Sequence, residues 1–182
     1  MVDASKILVF DLECTCWMGH PPIGMRQEII EIGACLFDSE TNEILNKKSI
    51  IIKPQASVIS EFCQKLTSIS QEMVDQGVSF SEACDMLKDE YGSATVVSAA
   101  WGRSDMSYML SDCDHKGLKS PFSGTHWNIQ KRFAKFMNSR NEVSVANALK
   151  AIGLEFDGRQ HRAVDDAYNS AVVMKHMLKG SK

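Results

Sequence analysis

Long apolar runs are missing from this chain of 182 residues. No stretch reaches the length of about 18 apolar residues that a membrane-spanning helix needs. Met1-Val2-Asp3-Ala4-Ser5-Lys6 lacks the basic start, apolar middle and small-residue cleavage site of a secretory signal, so an intracellular setting, cytoplasmic or nuclear, is expected. No C-x-x-C pair occurs among the six cysteines (14, 16, 35, 63, 84 and 113), which argues against zinc; they are expected as free thiols in the core or in loops. Phosphate loops of the G-x-x-x-x-G-K-[ST] or G-x-G-x-x-G kind are absent, against P-loop and Rossmann readings. An excess of positive charge is also lacking: 20 Lys and Arg stand against 23 Asp and Glu, so the chain does not coat nucleic acid by bulk charge. With only 4 prolines, no repeat and no Pro/Gly-rich linker, one domain is expected from Val2 to about Lys179, followed by a frayed tail, Gly180-Ser181-Lys182.

What is present reads as α/β. Short apolar or alternating runs at 6–13, 29–37, 47–52 and 94–101 read as strands, with a short fifth near 123–127. Asp38-Ser39-Glu40-Thr41-Asn42 is a turn between the second and third. Helical patterns cover 58–66, 70–76, 80–91, 104–114, 128–138, 144–152 and 163–178. Three leading strands that pair as a meander, then helices around an inner strand, imply a mixed sheet flanked by helices.

Acidic residues interrupt this pattern at three places. In the first strand, alternation puts Ile7, Val9, Asp11 and Glu13 on one face and Leu8, Phe10 and Leu12 on the other. Two carboxylates on a central strand are costly unless paired or bound to a hard cation such as Mg²⁺; on an edge strand they simply meet water. His161-Arg162-Ala163-Val164-Asp165-Asp166 opens the last helix, where Ala163, Ala167, Ala171 and Val172 suit close packing on a sheet. That packing aims Asp166 at Asp11 and Glu13 and leaves His161 at the mouth of the same site. An imidazole exchanges protons near neutral pH, which suits general-base work. Acids at a helix N-terminus are also favoured for their own sake. Asp105 follows the fourth strand, where sites of open α/β sheets gather, or starts a helix capped by Ser104. Asp112 and Asp114 read as solvated helix-end residues.

Taken together, D-x-E on an early strand, an Asp after a middle strand and H-x-A-x-x-D opening a C-terminal helix form one signature. The chain resembles the DEDDh group of the DnaQ-like 3′–5′ exonucleases, closest to the Eri-like branch that includes histone-mRNA 3′ exonucleases. The matching stretches are FDLECTCW (10–17), EIIEIGACLFD (28–38), IIKP (51–54), ISEFCQKLTSISQEMVDQG (59–77), WGRSDMSYML (101–110) and GRQHRAVDDAYNSA (158–171), which extend over nearly the whole chain. The resemblance implies a ribonuclease-H-like fold with a five-stranded mixed sheet. It also implies two Mg²⁺ ions, with Mn²⁺ as a substitute, held by Asp11, Glu13, Asp105 and Asp166. His161 becomes the general base, and nucleoside 5′-monophosphates leave a 3′ end. Asp165 is then a neighbour of the site and not a ligand. Two departures are the Pro/Gly-rich segment Met18 to Arg26 and Ser68, which stands where the family commonly has Gly.

Charge is unevenly distributed. Residues 115–140 hold Lys116, Lys119, Lys131, Arg132, Lys135 and Arg140 and no acid, which leaves 14 basic and 23 acidic residues elsewhere. Ile129, Phe133, Phe136 and Met137 form an apolar stripe on one helix, with Lys131, Arg132 and Lys135 on other faces. Those cations track phosphates or form a solvated face. Trp17 stacks on a terminal base or packs; Trp101 belongs to the core or a site wall. Phe62 and Leu66 contact the 3′-terminal nucleotide by the family pattern and belong to the core by helical spacing. The expected partner is single-stranded or 3′-overhang nucleic acid, RNA ahead of DNA on the Eri-like resemblance alone. A DNA exonuclease of the proofreading or repair kind and a non-catalytic nucleic-acid-binding protein on this fold remain alternatives. No RNA-binding domain is appended within this sequence, which points to a protein partner for targeting.

Overall fold

A computed structural model describes residues 3–179. Val2 and the expected frayed tail lie outside the described residues. Three strands, β1 (Asp3–Cys14), β2 (Ile29–Asp38) and β3 (Glu43–Ile51), form the antiparallel meander. Its hairpin closes where the Asp38 carboxylate accepts from Glu40 N (2.9 Å) and Thr41 N (3.1 Å), with Asn42 in the left-handed region. Next come two short helices, α1 (Glu61–Thr67) and α2 (Gln71–Asp75), and the longer α3 (Phe80–Tyr91). β4 (Val96–Ala100) then inserts parallel to β1. After α4 (Ser104–His115) comes β5 (His126–Asn128), parallel to β4 and only 3 residues long. The chain ends in α5 (Ile129–Phe136), α6 (Val145–Ala151) and α7 (Ala163–Lys179). The sheet order is β3-β2-β1-β4-β5. This is the five-stranded mixed sheet that the element pattern implied. No helix among the described residues is long and apolar enough to cross a membrane.

Alternation along β1 divides the core. Leu8, Phe10 and Leu12 pack with Phe80, Ala83, Cys84 and Leu87 of α3 and Met109 of α4. Ile7 and Val9 face the other layer, with Phe133 of α5, Leu149 of α6 and Val173 and Met174 of α7. Because β1 pairs with β2 on one side and β4 on the other, it is a central strand. The edge-strand reading of its acids is therefore overturned.

The caps explain where the helices begin. Ser60, Ser70, Ser79 and Ser144 each accept from a backbone N–H of the following turn, and Ser79 with Glu82 completes a capping box. α4 differs: Arg103 occupies the cap position with no side-chain bond, and Ser104 is already helical. The expected Ser104 cap is corrected. All six cysteines are free thiols, five of them buried.

Candidate active site

β1 continues the face of Ile7 and Val9 with Asp11 and Glu13, so the carboxylates leave the apolar layer at the strand's C-terminal end. Asp11 lies opposite Gly33 of β2 and Glu13 opposite Glu31. Gly33 sets how closely α7 can approach the sheet. A Cβ built there would lie 1.9 Å from the backbone carbon of Ala163 and 2.1 Å from Val164 N. Only glycine lets the first turn of α7 rest on the sheet backbone at this point. Ala163, Ala167 and Ala171, all fully buried, continue the contact along the helix. Asp166, one turn in, is thereby brought to the two acids of β1.

Asp11, Glu13 and Asp166, each half-buried, offer carboxylate oxygens that all lie within 4.8 Å of one another. Asp105 lines the same cavity from the start of α4 but stands outside this closest group. His161 lines its rim, exposed and held in a left-handed backbone conformation at φ 62°. The cavity measures about 550 Å³, and Trp101, Tyr108, Gln130, Phe156 and Gln160 contribute to its walls.

The acids raise one another's proton affinity. Burial first, then the charges of Asp105, Asp166, Glu13 and Glu31, holds Asp11 well above the ordinary carboxylate range. Burial followed by Asp166 and Glu31 pushes Glu13 up to about 8, with Arg162 opposing. Asp166 rises to about 6 through burial, against the backbone N–H groups of His161 and Arg162 that favour its charged form. Burial also raises Asp105. One buried oxygen of Asp166, Oδ2, has no hydrogen-bond partner. A half-buried group of acids whose proton affinities stay raised despite Arg162, with an orphaned oxygen among them, fits a hard divalent cation and its all-oxygen ligand preference.

The other candidates separate. Trp101 is buried and walls the cavity, its Nε1 donating to Val143 O at 2.9 Å. Trp17 is half-buried, Phe62 is exposed on α1 and Leu66 is half-buried; none lines the acidic cavity. Lys131, Arg132 and Lys135 lie on α5, whose Gln130 borders the cavity, but they face two other hollows. The Arg132 guanidinium sits 3.8 Å over the Trp127 ring. The apolar stripe of α5 is only half covered: Ile129 and Phe133 are buried, whereas Phe136 and Met137 are exposed.

Asp112 requires a correction. It is buried, accepts from Ile29 N (3.1 Å), and pairs with Arg26 (2.8 Å) and Lys116 (3.4 Å). Arg26 and Lys116 also reach Glu28, so this network fastens the exposed segment after β1 back onto the fold. Ser68 closes α1 at φ 60°, a left-handed position, which explains why glycine is common there in the resembling family. Sequence reasoning passed over Glu31, Gly33, Arg162, Tyr108 and Phe156. An acid and a glycine inside the apolar run IIEIGACLF were the available signal for the first two.

A model of the family RNase_T, described as Exonuclease, matches residues 8–174. The chain belongs to this exonuclease family. Among its relatives, the human 3'-5' exoribonuclease 1 is 30% identical over 185 residues, 94% of this chain and 52% of that protein. ERI1 exoribonuclease 2 of Xenopus laevis is 29% identical over 94% of this chain and 28% of its own length. The chain thus spans between about a quarter and a half of these curated relatives. Among solved structures, the nuclease domain of 3'hExo, a DEDDh family member bound to rAMP, superimposes with a TM-score of 0.89 at 28% identity, covering 97% of this chain and 93% of that one. The resemblance to Eri-like DEDDh exonucleases is borne out.

Proposed function

We propose that this exonuclease-family chain removes nucleotides from RNA 3′ ends in a metal-dependent reaction that releases nucleoside 5′-monophosphates. The observation that carries the reading is the convergence of Asp11, Glu13, Asp105 and Asp166, with His161, on one cavity. RNA is preferred over DNA because the human and Xenopus laevis relatives described above are named exoribonucleases.

Asp11, Glu13 and Asp166 would hold the divalent cations, Mg²⁺ or Mn²⁺, with Asp105 completing the set from the start of α4. Bound there, two such ions supply water activation and stabilise charge on the departing 3′ oxygen. The chain's own residues do the remainder. His161, exposed at the rim, takes the proton of the attacking water through its imidazole. Its reach comes from the backbone at residues 161–162, which bonds to the Asp166 carboxylate. Trp101 walls the site and keeps water from one side of the terminal nucleotide. Trp17, Phe62 and Leu66 are assigned to that nucleotide, and Lys131, Arg132 and Lys135 to phosphates further along the strand. The buried free thiols suit a reducing intracellular compartment, and a protein partner would direct the activity to particular RNAs.

The test compares wild type with Asp11→Asn and His161→Ala on matched single-stranded and 3′-overhang RNA and DNA, with Mg²⁺ and with Mn²⁺. The reading expects both variants to lose at least about a hundredfold in rate. Unchanged hydrolysis by both sinks it, and faster DNA than RNA degradation moves it to the DNA class.

A further inference from the structure

Five carboxylates converge on this end of the sheet, and one differs from the rest. Glu31 is fully buried on β2, yet both of its oxygens are filled. Oε2 accepts from Arg162 Nε (3.2 Å) and from Ala163 N (3.0 Å). Oε1 accepts from Arg162 Nη2 (3.1 Å) and from Ser49 Oγ (2.6 Å). Four donors on two oxygens leave it no place for a cation, in contrast with the orphaned oxygen of Asp166.

What Glu31 holds is the residue after His161 and the first helical N–H of α7. His161 sits at φ 62°, a conformation that is strained for a non-glycine residue and persists only where its neighbours impose it. The chain before it is fastened separately. Asp165 accepts from Arg159 N (3.0 Å), and Asn169 is bonded to both N–H and C=O of Asp157 (3.0 and 2.8 Å). The bidentate Arg162 fork on Glu31 is the fastening on the other side of His161, only one residue away.

From this geometry we infer that Glu31, through Arg162 and Ala163, is a positioning residue that sets His161 at the rim of the acidic cavity. The inference rests on the exonuclease reading, since His161 must matter for hydrolysis. Glu31 touches neither substrate nor cation; it acts by denying the loop its alternative conformations. Losing such a partner loosens the imidazole by about an ångström, which costs about 10–100-fold in rate.

The experiment uses the full chain and four variants: Glu31→Gln, Arg162→Lys, His161→Ala and Glu31→Gln with His161→Ala. Glu31→Gln keeps the shape and an acceptor for Ser49, so the core stays packed; Arg162→Lys keeps the charge and loses the fork. Hydrolysis of 5′-labelled single-stranded RNA with Mg²⁺ gives kcat and KM, and amide hydrogen exchange of the metal-free proteins reports on residues 157–163. The expected result is a fall in kcat of about 10–100-fold for Glu31→Gln, a change in KM of less than about threefold, and faster exchange confined to that loop. Arg162→Lys should lower kcat in the same direction, because an ammonium cannot hold both carboxylate oxygens. In the His161→Ala background Glu31→Gln should add less than about twofold, because its target is gone. Three results each overturn the inference and leave the exonuclease reading standing: Glu31→Gln within about twofold of wild type, an equal loss in both backgrounds, or unchanged loop exchange. Wild-type rates in His161→Ala overturn that reading and the positioning role with it.

Discussion

Replacing Gly33 by Ala tests how the site is assembled. The added Cβ would meet Ala163 at 1.9 Å from its carbonyl carbon and 2.0 Å from its oxygen, where ordinary contact begins at 3.4 Å. The gap must open by about 1.5 Å. Both sides are backbone, so no rotamer change absorbs it. Overpacking of flexible core sites costs about 1–3 kcal/mol, and this rigid contact belongs at or above the top of that range. At about 3 kcal/mol the melting temperature of a chain of this size falls by roughly 6–12 °C. The catalytic effect is larger in proportion. α7 carries Asp166, and a misplacement of about 1 Å costs on the order of a hundredfold in rate. Thermal unfolding by circular dichroism and 3′-end hydrolysis of a labelled RNA, on the same preparation, read both effects. A Gly33→Ala protein that melts within about 2 °C of wild type and hydrolyses within about threefold would refute the close-approach argument.

Other consequences are separately measurable. In metal-free protein Glu13 titrates near 8, Asp166 near 6 and Asp11 far above its ordinary range, so the native state binds more protons than the unfolded chain between about pH 4 and 8. Stability in EDTA should therefore fall as pH rises through that window, and Mg²⁺ or Mn²⁺ should restore it; a melting temperature in EDTA that rises with pH contradicts this. Asp112→Ala should cost about 1–3 kcal/mol in urea unfolding, because it leaves the buried N–H of Ile29 unpaired, while Arg26 and Lys116 lose one carboxylate and keep Glu28. Ser68→Gly should stabilise by about 0.5–1 kcal/mol, because φ 60° suits glycine; destabilisation would show that its hydroxyl bond to Thr67 O matters more.

Local pattern made much of this legible. Period-two alternation placed Asp11 and Glu13 on one face of β1, and the alanines of α7 announced a helix pressed on a sheet. Those two facts allowed Asp11, Glu13 and Asp166 to meet, and the family resemblance chose Asp166 over Asp165 and added Asp105. The supports were harder to read because they join segments far apart in the chain. Glu31 meets Arg162 across 131 positions, and Asp112 meets Arg26 across 86. Neither contact leaves a periodic trace. Asp112 shares a helix face with buried Met109 one turn earlier, a signal that its acidic character obscured. The basic residues of α5 were visible as a charge run, but the run did not show that Arg132 folds onto Trp127 or that Lys131 and Lys135 line hollows other than the acidic one.

Polarity and product chemistry bear most directly on the central claim. An RNA oligonucleotide carrying a 5′ label and internal phosphate labels, incubated with wild-type protein and Mg²⁺, should shorten stepwise from its 3′ end and release only nucleoside 5′-monophosphates, with no turnover in EDTA. Release of nucleoside 3′-monophosphates, internal fragments without a 3′ ladder, or full activity in EDTA would contradict the account.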